Sequence, residues 1–296
     1  MNKIILISIA LILVLFALWR FNTQSQHYAI DVPLPENFPK NSFIHQQFEQ
    51  LLKRFVSSDG TIQYQQWFDE PNAHYQLKQY LAAVAKFSPE NAHPRFASDQ
   101  DELAYWIYSY NAIVIHLILS NWPLESVTDI KAPIELVKGL GFFYNQKFIV
   151  GGKSYNLYEL EQQKMIKANA DPRLHFVLNC GSKSCPPMRP SLPVGAQLSP
   201  FLEQATHDFI NDINNVKFDQ QTGKIKLSMI FKWYIDDFSQ YALNHLYQGN
   251  SPISQEQSLL IFIDFYRNEK LLPATTKIDV DFMSYQWDIN KSGTQQ

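Results

Sequence analysis

The stretch from residue 103 to residue 120, LAYWIYSYNAIVIHLILS, carries the strongest helical signal in the sequence. Its apolar residues recur at helical spacing, and the remaining sides of the helix are largely apolar as well. A helix that is apolar all round is usually buried inside a protein. Ser98 with Asp101, or Asp99 with Glu102, can cap its start. We therefore predict a buried helix at the centre of the fold.

The composition is typical of a globular protein with a sizeable core. The chain has 296 residues, of which 46% are hydrophobic and 18% are charged. These proportions exclude a disordered, low-complexity or collagen-like chain. With 25 basic and 28 acidic residues, the formal net charge is −3. This balance disfavours nucleic acid as a partner.

The segments around the central helix predict an α+β fold. Further helical segments are interspersed with short hairpins, such as the one around Gly151 and Gly152. We predict a single globular domain over 41–290, in which several helices pack on small, mostly antiparallel strands. A polar, proline-containing spacer over 22–40 precedes this domain, and a disordered tail over 291–296 follows it. No G-x-G-x-x-G or P-loop motif occurs, and we expect no cofactor.

The first residues of the chain predict a membrane anchor. Residues 4–19 form an uncharged apolar run between Lys3 and Arg20. As a helix this run spans about 24 Å, and the flanking cations can extend it to the membrane interfaces. We interpret 1–21 as an uncleaved signal anchor, the alternative being a cleaved signal peptide with a poor cleavage site. The anchor predicts a single-pass protein of the cell inner membrane, with the membrane as a partner and most of the chain facing the periplasm.

The stretch from 171 to 189, DPRLHFVLNCGSKSCPPMR, holds both cysteines of the protein. Its apolar part, 174–179, predicts a short strand that ends where the two cysteines begin a loop. Loops at strand ends commonly carry active groups on a rigid support. Cys180 and Cys185 are therefore the main candidates for chemistry.

One interpretation is thiol catalysis. Cys180, or Cys185 in its place, would be the nucleophile for acyl transfer or amide hydrolysis. Backbone N–H groups of Gly181 and Ser182 would face the developing oxyanion. The guanidinium of Arg173 could lower the pKa of the thiol. Among the neighbouring side chains, Arg189 could do the same.

A thiol nucleophile also needs a base. His175 lies five residues before Cys180, and along an extended strand this separation is about 16 Å. We therefore prefer His116, which lies on the predicted buried helix, where an imidazole needs a hydrogen-bond partner. Asn111, on the same helix, could orient a neighbouring group, although it does not share a side with His116. The competing interpretation makes either histidine a hydrogen-bonded residue of the core.

Two other interpretations of the cysteines stay open at this point. A disulfide between Cys180 and Cys185 is permitted by an exported location and by a short loop that contains Gly181. A metal site formed by the two cysteines with His175 and His116 would fit zinc spacing only loosely. No second closely spaced pair of ligands occurs, so we assign no metal.

Several segments of the chain together resemble a known family. They are WIYSYNA at 106–112, DPRLHFVLNCGSKSCPP at 171–187, IFKWYIDDF at 230–238 and YQWDIN at 285–290. These segments are similar to the family called domain of unknown function 547, which occurs in bacteria and plants. The resemblance covers about residues 43–290. It implies a common domain and no established activity.

One departure from the family pattern concerns Glu161, in the predicted helix after the hairpin. The family resemblance implies a Glu-His pair followed by Ile-Leu-Arg, whereas here Glu161 is followed by Gln162, with Lys167 near the place of the arginine. If that histidine were a family catalyst, this chain would be impaired. Considered alone, a helical glutamate is usually solvated. We keep Glu161 among the candidate substrate-contacting residues.

Two functional hypotheses follow. The first is a membrane-anchored extracytoplasmic enzyme that uses Cys180 or Cys185, with His116 as base, on an unknown small-molecule or peptide substrate. The second is a non-catalytic interaction module of the cell envelope, in which the two cysteines form a structural disulfide. The state of the sulfurs and their distance from His116 would distinguish the two hypotheses.

Overall fold

A long helix over Asp99–Ser120 lies at the centre of the protein in a computed structural model that describes residues 3–22, 26–132, 137–271 and 278–293. The helix begins at Ser98, whose side chain accepts a hydrogen bond from the N–H of Asp101. Every residue from 104 to 119 is buried. The predicted central helix is therefore confirmed, and its lack of a polar side is explained by contacts on all sides.

Several helices pack against the long helix, among them Tyr64–Phe68, Pro71–Lys86 and Leu198–Asn211. The other α-helices of the chain, these three included, are Lys3–Asn22, Gln46–Phe55, Tyr64–Phe68, Pro71–Lys86, Pro89–Ala92, Leu140–Phe143, Leu157–Glu159, Lys167–Asn169, Leu198–Asn211, Met229–Trp233, Ile235–His245 and Gln255–Tyr266. Short 3₁₀ segments occur at His93–Arg95, Val127–Asp129, Pro172–Phe176 and Gly195–Gln197. A π-helical segment, Leu160–Ile166, continues the helix that begins at Leu157.

Two small sheets of three strands each complete the α+β fold. The first sheet has the order Gln26–Tyr28, Gln146–Val150, Lys153–Tyr155, and the second has the order Val216–Asp219, Lys224–Leu227, Asp279–Phe282. Each sheet combines one antiparallel hairpin with one parallel third strand. The expectation of mostly antiparallel strands is therefore wrong. The hairpins follow from local turns, whereas each parallel strand comes from a distant part of the chain.

The ordered structure extends beyond the boundaries predicted for the domain. Gln26–Tyr28, inside the predicted spacer, pairs with the hairpin strand at Gln146, and the ring of Tyr28 stacks on Phe148 at 5.1 Å. At the other end, the N–H of Ser292 donates to the carbonyl of Ile62 at 3.0 Å. Residues 294–296, the rest of the predicted tail, lie outside the described residues.

The segment 278–293 connects distant parts of the molecule. After the strand Asp279–Phe282, it forms isolated bridges that pair Asp288 with Ser126 and Ile289 with Ser182. The N–H of Asn290 donates to the carbonyl of Gly181 at 2.9 Å. This segment therefore connects the second sheet, the stretch that follows the long helix and the cysteine-containing loop.

Among the described residues, Asp99–Ser120 is the helix that is long and apolar enough to cross a membrane. Its apolar window is 89% buried inside the protein, which makes it a core helix. The apolar stretch Ile7–Phe16, within the helix Lys3–Asn22, is shorter, and its side chains are exposed. The membrane anchor therefore remains a prediction.

Candidate functional site

A cleft of about 730 Å³ opens beside the two cysteines. Its walls are mainly aromatic and aliphatic, and its polar groups converge from separate elements of the chain. The acidic and imidazole groups are Glu161 and His175, and the hydroxyls include those of Tyr110, Tyr234 and Tyr285. The cleft therefore brings together four residues singled out from the sequence, Cys180, Cys185, His175 and Glu161.

The cysteines form a disulfide in the wall of this cleft. The Cα atoms of Cys180 and Cys185 are 5.9 Å apart. The hydroxyl of Tyr285 lies 3.0 Å from Sγ of Cys180 and 3.1 Å from Sγ of Cys185. The hydroxyl of Ser182, a fully buried residue, lies 2.9 Å from that of Tyr285. Of the interpretations left open by the sequence, the structure therefore selects the disulfide.

The loop over 177–193, which we call the cysteine loop, is attached to the long helix by Asn111. The amide nitrogen Nδ2 of Asn111 donates to the carbonyl of Val177 at 3.0 Å, and its Oδ1 accepts from the N–H of Asn179 at 2.9 Å. Asn111 therefore does orient a neighbouring group, as its buried position suggested. The group that it orients is the backbone leading to Cys180.

The backbone N–H of Gly181 is engaged within the loop. It donates to Oδ1 of Asn179 at 2.8 Å, so it does not supply a free oxyanion donor. Gly181 has φ +84°, and a Cβ added there would lie 2.5 Å from Cδ1 of Ile118 on the long helix. A left-handed glycine is needed for this close approach. Gly181 thus has a packing role in the structure.

The predicted strand at 174–179 is wrong. Pro172–Phe176 forms a 3₁₀ helix, and the side chain of Asp171 caps it by accepting from the N–H of Arg173. A 3₁₀ helix is shorter per residue than an extended strand. His175 therefore lies closer to the cysteines than the predicted strand would place it. The ring of His175 lines the cleft together with both sulfurs.

His175 is fixed by two contacts. Its Nε2 lies 2.8 Å from Oδ2 of Asp237, and its ring stacks on that of Tyr234 with centroids 3.8 Å apart. The side chain is 2% exposed, whereas that of Asp237 is 33% exposed. An imidazole held by a carboxylate in this way has a defined orientation. His175 is therefore a hydrogen-bonded residue of the core, and it also lines the cleft.

Glu161 lies in the π-helical segment Leu160–Ile166 and is 7% exposed. The segment follows a capping box in which Asn156 accepts from the N–H of Glu159, so the start of the helix is well defined. Single-turn π segments occur frequently at functional sites. The expectation that Glu161 is solvated, as a lone helical glutamate usually is, is wrong because the long helix and its neighbours cover it.

The carboxyl group of Glu161 is incompletely bonded. Its Oε1 is buried and has no hydrogen-bond partner in the protein. Burial raises the pKa of this carboxyl, while the nearby His175 and a hydrogen bond with Tyr234 oppose the rise. A buried acid without a full set of partners is costly for folding and typical of a functional group.

Three rings form one side of the cleft, which we call the aromatic wall. Trp233, Tyr285 and Trp287 lie with ring centroids 4.5 to 5.6 Å apart. Tyr144 and Tyr158 stack at 4.6 Å and also line the cleft. Our choice of site residues did not include any of these rings. Trp233, Tyr285 and Trp287 all occur in the family-like segments, which is the sequence signal that could have identified them.

His116 does not belong to this site. Its ring packs against Tyr28 at 6.2 Å and His74 at 5.7 Å, and none of these residues lines the cleft. Burial lowers the pKa of His116 to about 3, with smaller contributions from His74 and Lys78. The structure therefore does not bring the preferred base to either sulfur.

The two candidate arginines form ion pairs outside the cleft. Arg173 forms ion pairs with Asp171 at 2.7 Å and Glu203 at 3.0 Å. Arg189 pairs with Asp208 at 2.9 Å. Neither arginine lines the cleft. Within the described part of the chain, no group of three or more His, Cys, Asp or Glu residues is arranged to hold a metal ion.

Comparison with known proteins identifies one family. Residues 94–210 match the family model described as "Protein of unknown function, DUF547", which confirms the resemblance found in the sequence. The match contains the long helix, Glu161, His175 and both cysteines, whereas the aromatic wall lies outside it. No curated protein and no solved structure matches the chain.

Proposed function

We propose that this chain is a ligand-binding module of the cell envelope, with the cleft beside the Cys180–Cys185 disulfide as its binding site. The observation that carries the proposal is the buried Oε1 of Glu161, which lacks a partner in a cleft lined mainly by aromatic and aliphatic side chains. Mostly apolar pockets with a few convergent polar groups are the usual form of small-molecule sites. The volume of about 730 Å³ fits a small organic molecule or the side chains of a peptide.

The disulfide and the first helix support a place outside the cytoplasm. Disulfides persist in oxidising compartments and are rare where cellular thiols are kept reduced. The exposed apolar side chains of Ile7–Phe16 favour insertion into a membrane. We therefore include in the proposal a single-pass anchor in the inner membrane, with the domain facing the periplasm.

A cysteine enzyme is the second candidate, and one observation favours it. Both sulfurs line the same cleft as the His175–Asp237 pair, so a reduced form would place thiols in a cleft that also holds an imidazole. His175 would then replace His116 as the base. In the oxidised form, the sulfurs are bonded to each other and neither is a free thiolate.

Alkylation followed by mass spectrometry distinguishes the two candidates. The purified full-length chain is treated with iodoacetamide, first without and then with prior reduction. The binding module predicts no adduct before reduction and two adducts after it. A Cys180→Ser, Cys185→Ser double variant is the control that takes up no label. One rapidly labelled thiol in the untreated protein would contradict the module and favour the enzyme.

A further inference from the structure

We infer that the cleft takes a ligand with a protonated amino group, whose ammonium contacts Glu161 and whose apolar body lies along the aromatic wall. The inference rests on the proposed function, because it names the chemical class of ligand for the same cleft. It begins from the missing partner of Glu161. A buried carboxylate is normally paired with a cation, and the described ion pairs of this protein do not include Glu161.

The groups that act on the carboxyl of Glu161 include no lysine or arginine. Tyr234 and Gln162 are neutral, and the imidazole of His175 is already bonded to Asp237. Lys138 is the basic side chain among the described lining residues, and it is exposed at the mouth of the cleft. Water screens a charge in that position. Among the described residues, the buried end of the cleft therefore has an acid and no lysine or arginine to pair with it.

The aromatic wall suits the same ligand. Trp233, Tyr285 and Trp287 present ring faces and edges around the cleft, and tryptophan gives the strongest attraction for a cation above its face. The rings would also cover the apolar part of an amine. The aromatic wall and Glu161 together favour a ligand that is apolar along its length and cationic at one end.

Hydrogen bonding narrows the class further. Oε1 of Glu161 lacks a donor, and a primary or secondary ammonium can donate to it, whereas a quaternary ammonium cannot. A hydrogen bond between an ammonium and a carboxylate is also stronger than one between neutral groups. The expected ligands are therefore protonated amines, including amino-terminal or lysine-like groups of a peptide.

A matched pair of small molecules tests this inference by titration calorimetry on the full-length protein at neutral pH. The probes are 2-phenylethylamine and 2-phenylethanol, which have nearly the same shape and differ in charge. We expect the amine to bind about tenfold more tightly, or better, because its contact with Glu161 is charge-assisted. Glu161→Gln should abolish this preference, whereas Glu161→Asp, which keeps the charge, should retain part of it. Glu256→Gln, at an exposed acid, is the control.

The outcomes separate this inference from the proposed function. Equal or tighter binding of 2-phenylethanol, or an unchanged preference in a folded Glu161→Gln variant, overturns the inference and leaves the binding module intact. A panel of neutral and acidic aromatic fragments is titrated in parallel. If fragments of that panel bind and the amine does not, only the choice of ligand class fails. If nothing in either set binds, the proposed function fails as well.

Discussion

At the scale of single residues, burial of Glu161 makes the stability of the protein depend on pH. Its pKa is raised above the ordinary 4.5 because burial disfavours the charged form. The folded state therefore holds this proton more tightly than the unfolded state, and its contribution to stability is complete below pH 4.5. That contribution is lost as the pH rises through the folded-state pKa.

Urea denaturation across pH measures this effect. We expect the free energy of unfolding of the wild-type protein, relative to Glu161→Gln, to fall as the pH rises from 4.5 through the folded-state pKa and then to level off. Glu256→Gln, which changes an exposed acid, should follow the wild type at every pH. Parallel curves for the wild type and Glu161→Gln would show that the buried carboxyl titrates as it does in the unfolded chain.

The site residues were predictable from the sequence only where a chemically reactive residue stands in a distinctive segment of the chain. Cys180 and Cys185 stand out because they are the two cysteines of the chain, and both line the cleft. The sequence favours His116 over His175 because a strand at 174–179 would place His175 about 16 Å from Cys180. That strand is wrong, since Pro172–Phe176 forms a 3₁₀ helix. Asp237 reads as a surface acid until the fold brings it to His175.

At the scale of elements, the contact between the cysteine loop and the long helix depends on Gly181. Gly181→Ala would place a methyl group against Ile118, at a position with φ +84°. Gly152→Ala is a matched control, since Gly152 has φ +78° and an added Cβ would meet nothing within 4 Å. Both variants bear the backbone cost of about 1–2 kcal/mol. We expect Gly181→Ala to lose about 1–3 kcal/mol more, from overpacking, in thermal or urea denaturation.

Equal losses for the two alanine variants would contradict this role for Gly181. They would show that the loop shifts to accommodate the methyl group without losing its packing on the helix. The alkylation experiment gives an independent check on the loop. A disrupted loop should allow faster reduction of the disulfide in Gly181→Ala than in Gly152→Ala.

Elements were predictable where several local signals agree. The long helix has a cap at Ser98 and an unbroken apolar pattern, and the structure confirms it. The segment 174–179 has an apolar pattern too short to distinguish a strand from a coiled segment. The cues that favour the 3₁₀ helix are Asp171 as a cap and Pro172 at the first position. Short apolar runs often form strands, and this pattern outweighed the two cues in the prediction.

At the scale of the whole molecule, the anchor prediction is tested by fractionation of the full-length chain. We expect the protein to stay with membranes in high salt and to be released by detergent, with residues 1–21 present by mass spectrometry. Leu11→Arg should weaken this association, since a charge near the middle of a spanning helix costs about 2.5–3.5 kcal/mol. Ile213→Arg adds the same charge at a surface position, where Ile213 is 65% exposed, and should have no effect.

Recovery of a mature protein that begins near residue 25 would overturn the anchor and favour a cleaved signal peptide.

The overall α+β class was predictable, because helix patterns and hairpin turns are local signals. The mixed sheets were not, since Gln26–Tyr28 pairs with residues more than a hundred positions later. The parallel strand Asp279–Phe282 likewise pairs with the hairpin strand Lys224–Leu227. Nothing in the sequence of the strand predicts this partner.

The attachment of segment 278–293 has a consequence for the timing of folding during synthesis. Residues of this segment supply Tyr285 and Trp287 to the cleft and hold the cysteine loop through Asn290. A ribosome adds about 5–20 residues per second, so the cysteines emerge several seconds before the ring that rests on them. The disulfide can therefore close in a chain whose cleft is still unformed. The cleft is therefore completed last, by a segment that the family match does not include.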